Sequence, residues 1–435
     1  MFSPFEAYWL LFGTLLVGTW SVLLAPHFVG VAARGQYTLA VFVLYVSGFI
    51  TAVVTIVDRR ENSGSSATES LSSTAIRISQ VGTAIVALAA FAALLGVLTS
   101  RSAPPRQWLR PLLAYGFALA LAALFAGDFN HNLLWFPGVI LAASSCWATP
   151  NDVVVRHGRI ILRSLVLVSV ILYCAVPDYA LLPNSTPRFF GLKQLAGLTS
   201  HPNGMGMIAA FALILELFGR RSRMSGIWFT VALVGLVLTQ SRSGWLVALV
   251  GVLIWSSGRL GRTKTILLAP TAGIIGWSLV GEQISKTGLT GREDVWAVAW
   301  QVFLRYPVIG AGPGGLREAV LSNGVGSFGA QAHNQLLDTL AKTGLVGAVL
   351  LLSFFVRSLR RARHLAREGS GLTLALLAGL AARSLFESPI DGGFAVLLLV
   401  ALLACQAVTP SGPTTSTRTA LNAQVVPDDT YRPSE

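Results

Sequence analysis

Runs of apolar residues, separated by short polar connectors, recur along this chain and constrain its fold more than any other feature. Many of them approach the ~20 residues with which an α-helix crosses a bilayer. They lie near residues 7–25, 37–57, 76–99, 112–126, 132–147, 160–176, 203–219, 226–239, 244–256, 264–281, 336–356, 371–388 and 392–408. Only 12% of the residues are charged, about half the share found in soluble globular chains. The sequence therefore predicts a polytopic membrane protein with about 12 transmembrane spans.

The predicted spans should be α-helices. A backbone in hydrocarbon must satisfy its own hydrogen bonds, and the sequence lacks the alternating ten-residue segments of a membrane β-barrel. We therefore expect an all-α fold with three regions. Residues 1–160 would form N-terminal transmembrane helices, and 161–408 the membrane domain that carries the candidate site. Residues 409–435, which lack apolar periodicity, would form a disordered cytoplasmic tail.

The net charge of +13 is distributed in a way that argues against nucleic-acid binding. Basic residues concentrate in the connectors at 220–223, 257–264 and 357–367, without the interleaved aromatic residues of a stacking surface. Because cytoplasmic connectors are enriched in Lys and Arg, these three should face the cytoplasm. The alternating connectors at 176–201, 239–244, 282–335 and 387–393 should then face outward.

The connector at 282–335 is the one large outward-facing loop, and it begins with a predicted amphipathic helix. Thr290 and Glu293 form a capping-box pattern, and Trp296, Trp300 and Phe303 recur at helical spacing. Arg292 lies in the first turn, where its guanidinium and the positive end of the helix dipole would both favour a phosphate or diphosphate. Alternatively, Arg292 pairs with a neighbouring carboxylate or a lipid phosphate.

His333 lies where the large loop ends and an apolar helix enters the membrane. The helix N-terminus disfavours a charged imidazolium, so a neutral ring could accept a proton. The alternative is a structural histidine. Arg242 lies in a very short turn between two apolar runs, and an arginine in such a place either lines a polar cavity or extends to the surface.

Other polar residues near the predicted outer surface allow more than one interpretation. Arg188 adds outward positive charge and suggests an anionic ligand, whereas His201 before Pro202 is more typical of a helix entry. Arg383 and Glu387 are four residues apart and should neutralise each other on one helical face, although Glu387 or Asp391 could face a cavity.

The glycine-rich run and the lack of metal-ligand spacing argue against nucleotide and metal chemistry. The run "GAGPGG" at 310–315 follows no convincing strand, so it predicts a tight turn, with a backbone anion nest as the alternative. The sequence shows no acidic D-x-D pair on an outer loop and no His/Cys metal spacing, so we expect no metal and no cofactor.

Four fragments in the second half resemble the O-antigen ligase and O-antigen polymerase superfamily of bacterial envelope proteins. In order they are "HPNGMGMIAAFALIL", "TQSRSGWL", "GREDVWAVAWQVFLRYPVIGAGPGGL" and "AHNQLLDTLAKTGLVG". The resemblance implies a GT-C-like membrane fold with a large periplasmic loop, an O-antigen ligase-like catalytic domain at 161–408, and a multi-pass location in the cytoplasmic membrane with the site facing outward. The first 160 residues match none of these fragments.

The resemblance also implies a reaction and assigns residues to it. A glycan would move, with inversion and without a metal, from a polyprenyl-diphosphate donor to a glycan, lipid or protein acceptor. By similarity, Arg242 and Arg292 hold the diphosphate, His333 activates the acceptor hydroxyl, and Arg188 and Asn334 are further substrate contacts. Polymerisation of lipid-linked repeat units, and non-enzymatic transport or binding of a lipid-linked glycan or small anion, are the alternative functions.

Overall fold

The computed structural model describes residues 110–126, 151–181, 191–199, 201–219, 223–260, 292–324, 331–367 and 371–388. The helices in these ranges are α1 (Arg110–Phe125), α2 (Asn151–Ala175), α3 (Pro177–Ala180), α4 (Pro202–Leu217), α5 (Arg223–Thr239), α6 (Arg242–Leu260), α7 (Arg292–Arg305), α8 (Gly312–Ser322), α9 (Gln335–Arg367) and α10 (Leu372–Ser384). Arg188, Thr290 and Asp391, the C-terminal tail and six of the predicted apolar runs lie outside the described residues.

Every regular element in the described ranges is a helix, apart from one isolated bridge between Leu181 and Leu195. The predicted all-α class is therefore confirmed there. Two segments, Arg156–Ala175 and Gln335–Arg367, are long and apolar enough to cross a membrane. Shorter apolar helices cover Arg110–Ala123, Pro202–Leu217, Met224–Thr239 and Leu372–Ser384. The count of about 12 spans and the GT-C-like loop arrangement stay predictions.

Helix α4 lies at the centre of the bundle, packed against α2, α5 and α6. Fourteen of its residues are buried, which is why its sequence is apolar on every side. Near the N-terminal end of α4, a Cβ on Gly244 would lie 2.8 Å from the Gly206 carbonyl carbon. Since no side chain separates them, the two backbones approach closely. This crossing brings the start of α4 next to the start of α6.

A second, smaller core joins α7, α8 and the first part of α9. It contains Val295, Val298, Ala299, Val302, Leu316, Val320, Ala332 and Ala341. The apolar stripe of α7 forms one wall, and the opposite face carries exposed Trp300. A helix after residue 291 is therefore confirmed, but the face that packs consists of Val295, Val298, Ala299 and Val302 and not of the predicted Trp296, Trp300 and Phe303. This packing fixes the direction in which the first turn of α7 points.

Helix α9 is interrupted at Gly344, which has φ 62° and ψ −159°. There the Ala341 carbonyl accepts a hydrogen bond from the Ala311 amide at 2.8 Å, and the Leu345 amide donates to the Pro307 carbonyl at 2.8 Å. The turn before α8 thus supplies the partners that the interruption removes from the helix. The apolar helix predicted after His333 is present, but the turn at 307–311 inserts at Gly344 and interrupts it, which the sequence pattern did not indicate.

The two parts of α9 differ in composition. Before Gly344 the helix buries polar residues, whereas after it large apolar side chains such as Val349 and Leu352 are exposed and suited to lipid. The basic stretch at 357–367, predicted to be a connector, is instead the continuing end of α9.

A buried ion-pair cluster lies at the other end of α4, away from the predicted outer loops. Arg163 on α2 donates two hydrogen bonds of 2.8 Å to the carboxylate of Glu216, and Ser225 donates a third at 3.1 Å. Arg159 donates to the Leu215 carbonyl at 3.0 Å, which suits the negative end of the helix dipole. Glu216 is thus neutralised where α4 ends, and this cluster was not predicted.

Candidate functional site

The carboxylate of Glu387 is the centre of the candidate site. Its Oε1 accepts hydrogen bonds from Asn203 Nδ2 at 2.7 Å and from Arg292 Nη2 at 3.0 Å. Its Oε2 lies 3.2 Å from Nδ1 of His333. Glu387 is only 8% exposed, whereas the side chains of Arg292 and His333 are each 21% exposed. One buried carboxylate therefore joins two of the predicted site residues at the edge of solvent.

The backbone around Glu387 is held by the same partners. Arg292 Nη1 donates to the Phe386 carbonyl at 2.7 Å, and Asn334 Nδ2 donates to the Leu385 carbonyl at 3.1 Å. Asn334 also caps α9, because its Oδ1 accepts from the Leu336 and Leu337 amides. The turn at 385–387 is thus fixed from both the α7 side and the α9 side.

The four connectors predicted to face outward all contribute to this network. His201 comes from the first and directly precedes the turn of α4 that carries Asn203, Ser241 comes from the second, Arg292 and His333 from the large loop, and Glu387 from the last. Ser241 Oγ donates to Asn203 Oδ1 at 3.2 Å, which links α6 to Glu387 through Asn203. Residues up to 184 positions apart in the chain therefore meet at one end of the bundle.

The prediction that Arg383 and Glu387 lie on one helical face was wrong. Helix α10 ends at Ser384, so Glu387 lies in the following turn, and its amide donates to the Arg383 carbonyl. Arg383 donates to the Asn203 carbonyl at 2.9 Å, and its charge is still close enough to lower the pKa of Glu387, so the predicted neutralisation holds although the shared helical face does not. The alternative that Glu387 faces the site is what the structure supports.

The charges around Glu387 keep it ionised. Burial alone would raise its pKa, but the hydrogen bond with His333 and the nearby guanidinium groups of Arg383 and Arg292 lower the pKa to about 2. Glu387 follows the end of α10 and lies outside the helical segment. The two arginines together exceed its single negative charge, so an anion can still be attracted to this place.

His201 is the N-cap of α4, as the helix-entry interpretation predicted. Its Nδ1 accepts a hydrogen bond from the Asn203 amide at 3.2 Å, which requires that this nitrogen carry no proton. Although one side of the residue is exposed, partial burial of the ring and the positive charges of its neighbours lower the pKa of His201 to about 4. A neutral ring therefore orients Asn203 at neutral pH.

The lowered pKa of Glu387 predicts a pH-dependent stability. A carboxylate whose pKa falls from 4.5 to about 2 on folding contributes about 3 kcal/mol of stability above pH 4.5, which is lost as the pH approaches 2. Wild type should therefore be more stable than Glu387→Gln at pH 7, and the difference should narrow between pH 5 and pH 2.5. Thermal unfolding in detergent would measure it, and a difference that stays constant over this interval would contradict the assignment.

Arg242 begins α6 directly after Ser241, so the structure places it beside the network. Gln240, two residues earlier, has a positive φ of 52° and donates to the Leu192 carbonyl at 3.0 Å. Ser241 caps α6, because its Oγ accepts from the Gly244 amide at 3.1 Å. The turn that carries Arg242 is thereby held in a sparsely populated conformation, which is common at functional sites.

Replacement of Ser241 should affect both stability and geometry. Ser241→Ala removes the α6 cap and the hydrogen bond to Asn203, which we expect to cost about 1 kcal/mol of unfolding free energy. The exposed Ser257, near the end of the same helix, provides a control as Ser257→Ala. Thermal unfolding of both variants tests the expectation, and equal melting temperatures would contradict it.

The glycine-rich run at 310–315 forms a turn followed by the start of α8. A Cβ on Gly310 would lie 2.3 Å from the Lys342 carbonyl carbon, so only glycine fits against α9. The Gly310 and Ala311 amides donate to the Tyr306 and Ala341 carbonyls. These two amides are used within the protein, which favours the predicted turn over an anion nest.

Among the described residues, no group of three or more His, Cys, Asp and Glu side chains is placed to hold a metal ion. Two members of the network, Asn203 and Ser241, were not predicted as site residues, although both lie in the fragments "HPNGMG" and "QSRSG" that carry the family resemblance. Neither has a charge or a helical pattern that would single it out.

Comparison with known proteins supports the predicted resemblance. Residues 227–352 match the family model described as O-antigen ligase. This confirms the resemblance to O-antigen ligases. An O-antigen ligase of Pseudomonas aeruginosa is 28% identical over 186 residues, which are 40% of this chain and 46% of the relative. The chain thus spans less than half the length of the curated relative it matches.

The O-antigen ligase-like match and the network overlap only in part. Arg242, Arg292 and His333 lie inside the matched residues, whereas Asn203 and Glu387 lie outside them. The network therefore extends the candidate site beyond the matched region on both sides. The match and the apolar helices together indicate a bacterial membrane protein.

Proposed function

We propose that this protein is a metal-independent, inverting glycosyltransferase of the O-antigen ligase type. It would move an oligo- or polysaccharide from a polyprenyl-diphosphate donor to an acceptor hydroxyl at the outer face of the cytoplasmic membrane. The observation that carries the proposal is the meeting of Arg292 and His333 on the buried carboxylate of Glu387. It brings a guanidinium and an imidazole to one carboxylate at the edge of solvent, which supports a site that holds an anion and activates a hydroxyl.

Arg292 is proposed to hold the diphosphate of the donor. Its contacts with Phe386 and Glu387 use two of the five N–H donors of a guanidinium, so the others remain to bind phosphate oxygens. Arg292 also lies at the N-terminus of α7, whose dipole favours an anion. Arg242 and Arg188 are proposed to contribute further positive charge, and Asn334 a further substrate contact.

His333 is proposed to be the general base. Its Nδ1 faces the ionised Glu387, which favours the tautomer with the proton on Nδ1 and the lone pair on Nε2. Nε2 can then take the proton of the acceptor hydroxyl. The same arrangement of carboxylate and imidazole orients the ring in other enzymes that activate a hydroxyl.

The proposed transfer balances without a co-reactant. The acceptor oxygen bonds to the anomeric carbon as its proton moves to His333, and the bond from that carbon to the phosphate oxygen breaks. The electron pair leaves with the polyprenyl diphosphate, whose charge the arginines stabilise. Attack opposite the leaving group inverts the anomeric centre, and His333 later releases the proton to solvent.

The test is the chain length of polyprenyl-diphosphate-linked glycans in a deletion strain complemented with wild type or with His333→Ala. Long lipid-linked chains that accumulate with His333→Ala would support transfer to a separate acceptor. Single lipid-linked repeat units that accumulate would instead indicate that the protein polymerises repeat units. Wild-type pools, at normal expression, would contradict the catalytic role and favour transport. His364→Ala, an exposed histidine near the far end of α9, is the matched control.

A further inference from the structure

His333 has a backbone conformation that the surrounding protein must hold in place. Its φ is 47°, in the left-handed region that residues other than glycine rarely adopt. On the C-terminal side, Asn334 caps α9 and bonds to the Leu385 carbonyl. On the N-terminal side, the neighbouring residue is Ala332, which is fully buried.

Both peptide groups of Ala332 are fixed by side chains that the proposed reaction does not use. Trp296 Nε1 donates to the Ala332 carbonyl at 2.7 Å. The Ala332 amide donates to Asp338 Oδ1 at 2.8 Å. Together these two hydrogen bonds constrain the direction in which the chain enters His333, and we name them the Ala332 clamp.

The two side chains of the clamp are themselves well held. Asp338 is fully buried on α9, and its second oxygen is paired with the Lys342 ammonium one helical turn later. This pairing holds the Asp338 side chain in place as a strong acceptor for the Ala332 amide. Trp296 lies one turn after Arg292 on α7, so one helix face directs Arg292 to Glu387 and Trp296 to Ala332.

We propose that Trp296 and Asp338 are positioning residues that hold His333 in its left-handed conformation and thereby keep Nδ1 on Glu387. The inference rests on the proposed function of His333 as the base. Both residues contact the backbone of Ala332, next to His333, so their effect on the reaction would be transmitted through the position of the His333 ring. Burying an Asp–Lys pair and an indole N–H beside an apolar core costs desolvation free energy, which the hydrogen bonds to Ala332 and within the ion pair offset only in part.

The first test is a double-variant cycle on purified full-length protein, with the lipid-linked glycan that a deletion strain accumulates as the donor. Trp296→Phe keeps an aromatic ring but removes the N–H. It should lower kcat about tenfold and leave the KM of the donor unchanged, because a misplaced base slows the reaction without weakening diphosphate binding. In the His333→Ala background the same change should cause no further loss.

The matched control for this cycle is Trp300→Phe. Trp300 is on the same helix, is 46% exposed and packs against Phe303 with the ring centroids 5.1 Å apart. It should keep wild-type kcat. An unchanged kcat in Trp296→Phe, or an equal loss with and without His333, would overturn the positioning role.

A second pair of variants tests Asp338 even if Trp296→Phe folds poorly. Asp338→Asn with Lys342→Met removes both buried charges but keeps an oxygen for the Ala332 amide, and should retain activity within about threefold. Asp338→Leu with Lys342→Met removes that oxygen as well, and should lose at least about tenfold. Equal activity in the two double variants would overturn the inference.

Failure of this inference can be distinguished from failure of the proposed function. If His333→Ala itself keeps wild-type activity, the base role is wrong. If His333→Ala is inactive while Trp296→Phe and both Asp338 double variants are fully active, only the positioning role is wrong.

Discussion

Glu387→Gln is expected to lower glycan transfer by about 100-fold or more, which is the contribution of a well-placed general base. Asn203, Arg292 and His333 all use the two carboxylate oxygens of Glu387. An amide offers one oxygen and one NH2 group, so it cannot accept from all three. Either the His333 ring loses its tautomer and orientation, or Arg292 and Asn203 lose their acceptor. The pool of lipid-linked glycan in complemented deletion cells measures the effect.

The control for this prediction is Asp294→Asn. Asp294 is an exposed carboxylate in the first turn of α7, and its replacement also removes one negative charge near the site. It should stay within about twofold of wild type, as surface changes usually do. Full activity of Glu387→Gln at normal expression would show that the carboxylate is not the centre of the site.

Gly344→Ala is expected to destabilise the protein by about 3 kcal/mol or more. The backbone at φ 62° and ψ −159° lies in a region that is essentially restricted to glycine. A Cβ would also lie 2.3 Å from the Val308 carbonyl oxygen and 2.7 Å from the Ile309 amide nitrogen. The turn at 307–311 would have to leave α9, and α7, which carries Arg292, would move with it.

Thermal unfolding in detergent measures this loss, and Gly258→Ala provides the comparison. Gly258 is exposed near the end of α6, and a Cβ there meets nothing within 4 Å. Because alanine favours a helix over glycine by about 1 kcal/mol, Gly258→Ala should be neutral or slightly stabilising. A wild-type melting temperature for Gly344→Ala would mean that the interruption of α9 can close into a continuous helix.

Local patterns predicted much of this fold. The apolar runs at 203–219 and 226–239 correspond to α4 and α5 within three residues. The predictions failed where distant residues compete with a local pattern. Nothing local shows that a turn 34 residues earlier inserts into α9 at Gly344, because the compensating hydrogen bonds come from 307–311. The basic stretch at 357–367 was assigned as a connector because charge patterning gives orientation but not helix length.

The residues of the candidate site likewise fall into those that the sequence predicted and those that it did not. Arg292 and His333 stand out in the sequence because a cation and a histidine at helix starts in an otherwise apolar chain are unusual. Asn203, Ser241 and Glu387 are ordinary polar residues until the bundle places them together. Their roles come from contacts between residues up to 184 positions apart, which no periodicity encodes.

By itself, the sequence determined the helical class, the membrane setting, the connectors expected to face outward and the charged residues available for chemistry. These follow from hydropathy, charge distribution and helix-start patterns, which are properties of neighbouring residues. The tertiary structure alone decided that Glu387 joins Arg292 to His333, that Ala332 is clamped and that α9 is interrupted. Each of these depends on which surfaces pack together, and packing brings together atoms that are far apart in the chain.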